Sequence, residues 1–92
     1  MKLPAKYSLL KPHQKEQARM LYAVEQFGNC MYCHCPLHQP PPERVKKPID
    51  WGLFPKGFMN NPLHLQHNHD TDMTEGVVHA YCNAVLWQYH GR

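Results

Sequence analysis

From Pro12 the chain runs through polar residues broken by single apolar ones, with Met20, Val24 and Phe27 at i, i+4 and i+7. Pro suits the first turn of a helix, and Gly28 follows as a stop, so the pattern predicts a helix over 12–27 with that stripe facing the core. CMYCHC (30–35) is too short and too Cys-rich for anything but a tight turn. Residues 36–62 show no period; they hold PPP at 40–42, WGLFPKGF at 51–58 and NNP at 60–62. A long irregular insert in a small domain is usually functional or mobile. LHLQH (63–67) alternates as a strand does, and a polar loop runs on to about Gly76. In the run VVHAYCNAVLWQYHGR, residues 83–90 read as a helix, with Gly91 as its stop.

Ninety-two residues hold one small domain. The division expected is a mobile basic arm over 1–11 and a single domain over 12–92. Such a chain has a marginal core and needs a staple: disulfides, a metal or a partner. Four Cys and eight His supply metal ligands. A mean hydropathy of −0.65 and the lack of a long apolar run exclude a membrane span. The first residues, MKLPAKYSLLKP, carry no apolar secretory core, which points to a reducing compartment and away from structural disulfides.

The net charge is +3. Five of the ten basic residues fall in 1–29, while 66–92 carry Arg92 alone against Asp70, Asp72 and Glu75. A basic body beside an acidic, His-rich end suits a polyanion held near a cation, although the same charge is ordinary for solubility.

The strongest chemical pattern is a pair of knuckles, Cys30-x-x-Cys33 and His79-x-x-Cys82. Ligands three residues apart let one turn present both to an ion, and two such turns complete a tetrahedron that suits zinc. The competing readings are a redox pair, which would want a thioredoxin-like βαβ setting, and two disulfides. Cys35, followed by Pro36, is left outside the shell. His13, His34, His38 and His64 have no partner at ligand spacing and read as surface or packing residues.

Three segments carry a family resemblance. YAVEQFGNCMYCHCPL (22–37) resembles the opening of HNH endonucleases, where a helix runs through Gln and Gly into C-x-x-C. LQHNHD (65–70) resembles their L-D-H-D-H, and EGVVHAYCN (75–83) their R-G-L-L-C-x-x-C-N. In this order, over about 18–90, they resemble the recombination endonuclease VII branch of the HNH, or ββα-metal, superfamily. That resemblance implies an α+β fold, a zinc-stapled ββα unit with an N-terminal helix. It implies a metal-dependent DNA endonuclease or nickase hydrolysing phosphodiester bonds. His67 falls on the general base, and Asn83 and Gln66 on the ligands of a catalytic Mg²⁺ or Mn²⁺. Cys30, Cys33, His79 and Cys82 fall on the zinc ligands, His79 where the branch usually has Cys. Gln66 replaces a metal-binding Asp and so lacks its charge, and Glu75 stands where Arg is common. The chain also stops before the long helical dimerisation region of the junction resolvases. The partner implied is DNA, with a monomer or weak homodimer. The chain's compactness is that of small phage-encoded or mobile members, acting in the cytoplasm of a host cell.

The residues alone support the same chemistry. A His near its ordinary pKa can take a proton from water at neutral pH, and an oxygen-liganded cation can stabilise charge on the phosphate. His69 points with His67 along a strand and is a helper, a phosphate contact or a loop-orienting group. Asp70 and Asp72 either replace the missing carboxylate or are solvated loop acids. Asn83, Trp87 and His90 share a helix face, and His90 is a site residue or a contact of the helix end. Arg44, Lys46, Lys47 and Lys56 among Trp51, Phe54 and Phe58 either grip nucleic acid or cover the knuckle as a satellite core. Two other functions stay open: a zinc-stabilised nucleic-acid-binding module without catalysis, and a protein-interaction knuckle.

Overall fold

The computed structural model describes residues 1–91; Arg92, the one basic group of the 66–92 end, lies outside the described residues. Helix α1 spans Pro12–Glu25, strand β1 Leu63–His67, strand β2 Thr74–His79 and helix α2 Ala80–His90. β1 and β2 form a two-stranded antiparallel sheet, and α2 follows β2 without a break. The result is a small α+β fold whose ββα unit is flanked by α1.

Pairing runs from Leu63 opposite His79 to His67 opposite Thr74, with an irregularity between Gln66 and His67. β1 is therefore a regular ladder up to its last residue, although its burial does not alternate, Leu65 and Gln66 both being buried. α2 begins three residues earlier than the sequence reading placed it. Pro62 supplies a carbonyl for the Ala80 N–H (2.8 Å), which satisfies one of the donors left over at a helix start. Gly91 ends α2 in the left-handed region (φ 69°), where the lack of a Cβ is an advantage.

α1 starts where predicted but ends at Glu25, short of the expected residue 27, and it is rotated about its axis. The stripe Met20, Val24 and Phe27 is 63%, 78% and 91% exposed, and does not face the core. The inward positions are Ala18, Tyr22 and Gln26, a second i, i+4, i+8 series. Ala18 lets the helix approach closely. Tyr22 bonds the buried Thr74 hydroxyl at 2.9 Å. Gln26 accepts from the Val77 N–H (2.9 Å) and donates to the Val77 carbonyl (3.0 Å). β2 is an edge strand on this side, and a buried unpaired backbone group costs about 1–3 kcal/mol. The helix face is thus chosen by its hydrogen-bonding reach, which counting apolar residues does not reveal.

Gly76 is required by the same contact. A Cβ there would lie 2.6 Å from Gln26 Oε1 and 2.7 Å from Met31 Sδ. Gln26 cannot yield without releasing Val77. Gly76→Ala should therefore destabilise the fold by about 1–3 kcal/mol, as overpacking does. A chemical-denaturation midpoint equal to the wild type would show that this approach is looser than it looks.

Residues 1–11 are not a free arm along their whole length. The Thr74 N–H donates to the Ala5 carbonyl (2.9 Å), the Tyr7 N–H to the Asp72 carbonyl (2.8 Å), and Lys6 bridges Met73. The segment crosses the turn end of the hairpin like a short extra strand. The insert wraps the outer side of α2: Asp50 N–H donates to Gln88 Oε1 (3.0 Å), and Tyr81 and Tyr89 both donate to insert carbonyls. Trp51, Phe54 and Phe58 pack on one another and on Tyr81, Trp87 and His64. The three aromatics do not cover the knuckle; they form a partly exposed cluster against α2 and His64. Among the described residues no helix is long and apolar enough to cross a membrane.

Candidate metal centre and adjoining groove

Cys30, Cys33, His79 and Cys82 converge from the α1–β1 connection and the β2–α2 junction. Their ligand atoms all lie within 4.8 Å of one another, and all four residues are buried. His79 Nδ1 is 3.4 Å from Cys33 Sγ and 3.6 Å from Cys82 Sγ. Ligand atoms of a tetrahedral zinc site sit about 3.5–3.8 Å apart, so this group could hold such an ion. The knuckle closes through Cys30 N–H to the Cys35 carbonyl (2.8 Å) and His34 N–H to the Cys30 carbonyl (3.0 Å). His79 Nε2 faces the carbonyls of Pro36 (3.0 Å) and Gln39 (2.8 Å). Only a donor suits that position, so the proton sits on Nε2 and the Nδ1 lone pair turns inward. Such outer partners orient metal-binding imidazoles.

The four close ligand groups perturb one another's titration. Cys82 donates to Cys30 and holds the Cys30 sulfur down at about 4, while its own pKa is pushed up. Burial raises Cys33. Cys35 stays outside the group, half-buried, where Arg44 Nη2 approaches its sulfur at 3.5 Å. Arg44 also donates to the Cys33 carbonyl (2.5 Å). This arginine braces the knuckle. The cysteines are free thiols, and among the described residues no βαβ setting surrounds them.

Beside the knuckle lies a groove of about 410 Å³ between β1, α2, α1 and the insert. Gln66, His67, His69 and Asn83 all line it. Successive residues on a helix are about 100° apart, so Cys82 turns to the knuckle while Asn83 turns to the groove. Trp87, one turn on, lines it as well. His90 does not; it faces Tyr32 Oη at 3.2 Å, near the knuckle.

His67 is half-buried at the end of β1. Its ring stacks on Tyr7 (centroids 3.8 Å, planes 10° apart) and tilts against His69 at 4.8 Å. Burial lowers its pKa, and the neighbouring His69 works in the same direction. Lys15 lies over the Tyr7 ring at 4.3 Å. Gln66 is 2% exposed and donates to the His67 carbonyl (3.3 Å). Asp72 points to the N-terminal segment instead, accepting from Ser8 Oγ (2.5 Å) and Ser8 N–H (3.1 Å). Those bonds lower its pKa. Neither Asp72 nor Asp70 lines the groove.

Among the groove residues that were not singled out from the sequence as site residues are His64, Arg19 and Tyr7. His64 stands 3.0 Å from the Asn83 amide nitrogen through Nδ1, and 2.8 Å from the Phe58 carbonyl through Nε2. Burial lowers its pKa, so it is no solvated surface group. Arg19 reaches the groove from α1, its side chain 17% exposed and paired with Glu16. Tyr7 arrives from the N-terminal segment. No spacing rule pointed to His64, because residues three apart on a regular strand face opposite sides. Lys46 pairs with Glu43 (3.2 Å) and Lys47 lies over Tyr89 (5.0 Å), both on the insert's outer path and away from the groove.

Compared with protein-family models, curated proteins and solved structures, the chain matches none of them.

Proposed function

We propose that this protein is a zinc-stapled, cation-dependent DNA endonuclease or nickase of the HNH type. The observation that carries the reading is one juxtaposition. A buried Cys₃His group sits one residue along the chain from a groove that gathers His67, Gln66, His69 and Asn83. Zinc fits the Cys₃His donors and fixes the start of α2, and with it Asn83. His67 is the general base. It is held by Tyr7 and kept neutral by burial, so it is ready to take a proton from water. Arg19 brings a guanidinium, already paired with Glu16, to the groove wall as a contact for a phosphate.

No carboxylate is among the residues lining the groove. The amide oxygens of Gln66 and Asn83 are neutral donors that fit a divalent cation when the DNA phosphate supplies the negative charge. That cation, when bound, stabilises charge developing on the phosphate. The same absence favours a second reading, a nucleic-acid-binding module without catalysis.

Supercoiled plasmid separates the two. With Mg²⁺ or Mn²⁺ the protein should relax or linearise it, and EDTA should stop the reaction. Salt-sensitive gel retardation with no cut strand under any divalent ion would leave the binding module.

A further inference from the structure

Resting on the nuclease reading, we infer that His64 is a positioning residue: it turns the Asn83 side chain so that its amide oxygen, not its nitrogen, is presented to a cation in the groove. The reasoning is one of donors and acceptors. A carbonyl oxygen can only accept, so the nitrogen of His64 that faces Phe58 O at 2.8 Å carries the proton. The other nitrogen, Nδ1, is then a lone pair, and it stands 3.0 Å from the Asn83 amide nitrogen. An amide group is planar with its oxygen and nitrogen on opposite sides. Tying the nitrogen to His64 leaves the oxygen as the free end.

The imidazole cannot swing away easily. Phe58 meets it edge-on at 4.6 Å, and β1 fixes its backbone opposite Val78. An untethered Asn would present its NH₂ to the ion in part of its population, and an NH₂ cannot ligate. The need is greater here because Gln66 brings no charge to the site. Outer partners of metal ligands typically change affinity by about 10–100-fold.

The test uses the zinc-loaded protein with an uncleaved oligonucleotide, titrated with Mn²⁺ and read by the electron paramagnetic resonance signal of free Mn²⁺. His64→Leu should weaken Mn²⁺ binding by about tenfold or more, with zinc content and melting temperature retained. His64→Asn places a side-chain oxygen near the former Nδ1 and should restore most of the affinity. In cleavage, the Leu variant should need more Mn²⁺ for half-maximal rate and approach the wild-type rate at saturation. Unchanged Mn²⁺ affinity in the Leu variant overturns the inference while leaving the nuclease standing. So does equal weakening in the Leu and Asn variants, since a lost acceptor would not then be the cause. Should the Leu variant fail to load zinc, the Asn variant decides: wild-type affinity sustains the role and weakened affinity overturns it. A wild type that neither binds Mn²⁺ nor cuts removes the nuclease reading, and the inference falls with it.

Discussion

Stripping zinc from this protein should unfold it, and Cys82→Ser should do the same without a chelator. Structural zinc sites bind with apparent free energies of about 10–16 kcal/mol, against about 5–15 kcal/mol for the stability of a whole domain. Cys30, Cys33 and Cys82 are core residues, packed in one cluster with Tyr22, Leu65, Val77 and Leu86. Losing the ion would leave buried polar donors at the centre of that cluster. With zinc bound, Cys82 would also tie the first turn of α2 to the knuckle. The metal-free pKa pattern sets the pH dependence. Cys33 and Cys82 are raised above their ordinary 9.0, so they hold protons that the ion must displace. Zinc should therefore be lost progressively as pH falls. One zinc per chain by elemental analysis and a collapsed near-ultraviolet circular dichroism signal after chelation are the expected results. A Cys82→Ser protein melting at the wild-type temperature would mean that the cluster folds without an ion.

The parts of this fold that were legible in the sequence are those set by local rules. Pro12 and Gly28 bracket α1, alternation marks β1, and paired x-x spacings mark the four ligands. What escaped the sequence is set by long-range polar contacts. The apolar stripe of α1 points to solvent because Tyr22 and Gln26 are needed by Thr74 and Val77, more than fifty residues away. The N-terminal segment docks because the hairpin turn exposes backbone groups that Ala5 and Tyr7 complete. His64 looked idle because its partner Asn83 lies on another element, nineteen residues on. His90 fell on the right helical face but is taken by Tyr32. Spacing rules find ligands brought together by a turn. They do not find those brought together by a sheet and a helix crossing.

His67→Ala should reduce cleavage by about 10²–10⁴-fold, the usual cost of losing a general base, while zinc content, folding and DNA binding stay close to wild type. The separation is structural: His67 belongs to neither the Cys₃His group nor the buried core. Its loss removes one face of the stack on Tyr7, a contact of about 1 kcal/mol, too small to unfold a zinc-bound domain. The pH profile is an independent check. A general base acts in its neutral form, and burial together with His69 lowers His67 below the ordinary histidine value of 6.5. Protonation thus sets in only on the acid side of that value. The rate should be level through neutrality and fall only on the acid side of that ordinary value, and the residual activity of His67→Ala should lack this acid limb. His69→Ala is the discriminating control, because His69 stands exposed beside His67 and shares its groove. A modest loss there is expected from a phosphate contact. If His69→Ala is the inactive protein and His67→Ala cuts normally, the base lies two residues further along the chain. If both variants cut like wild type, neither imidazole is the base and the proposed chemistry is wrong.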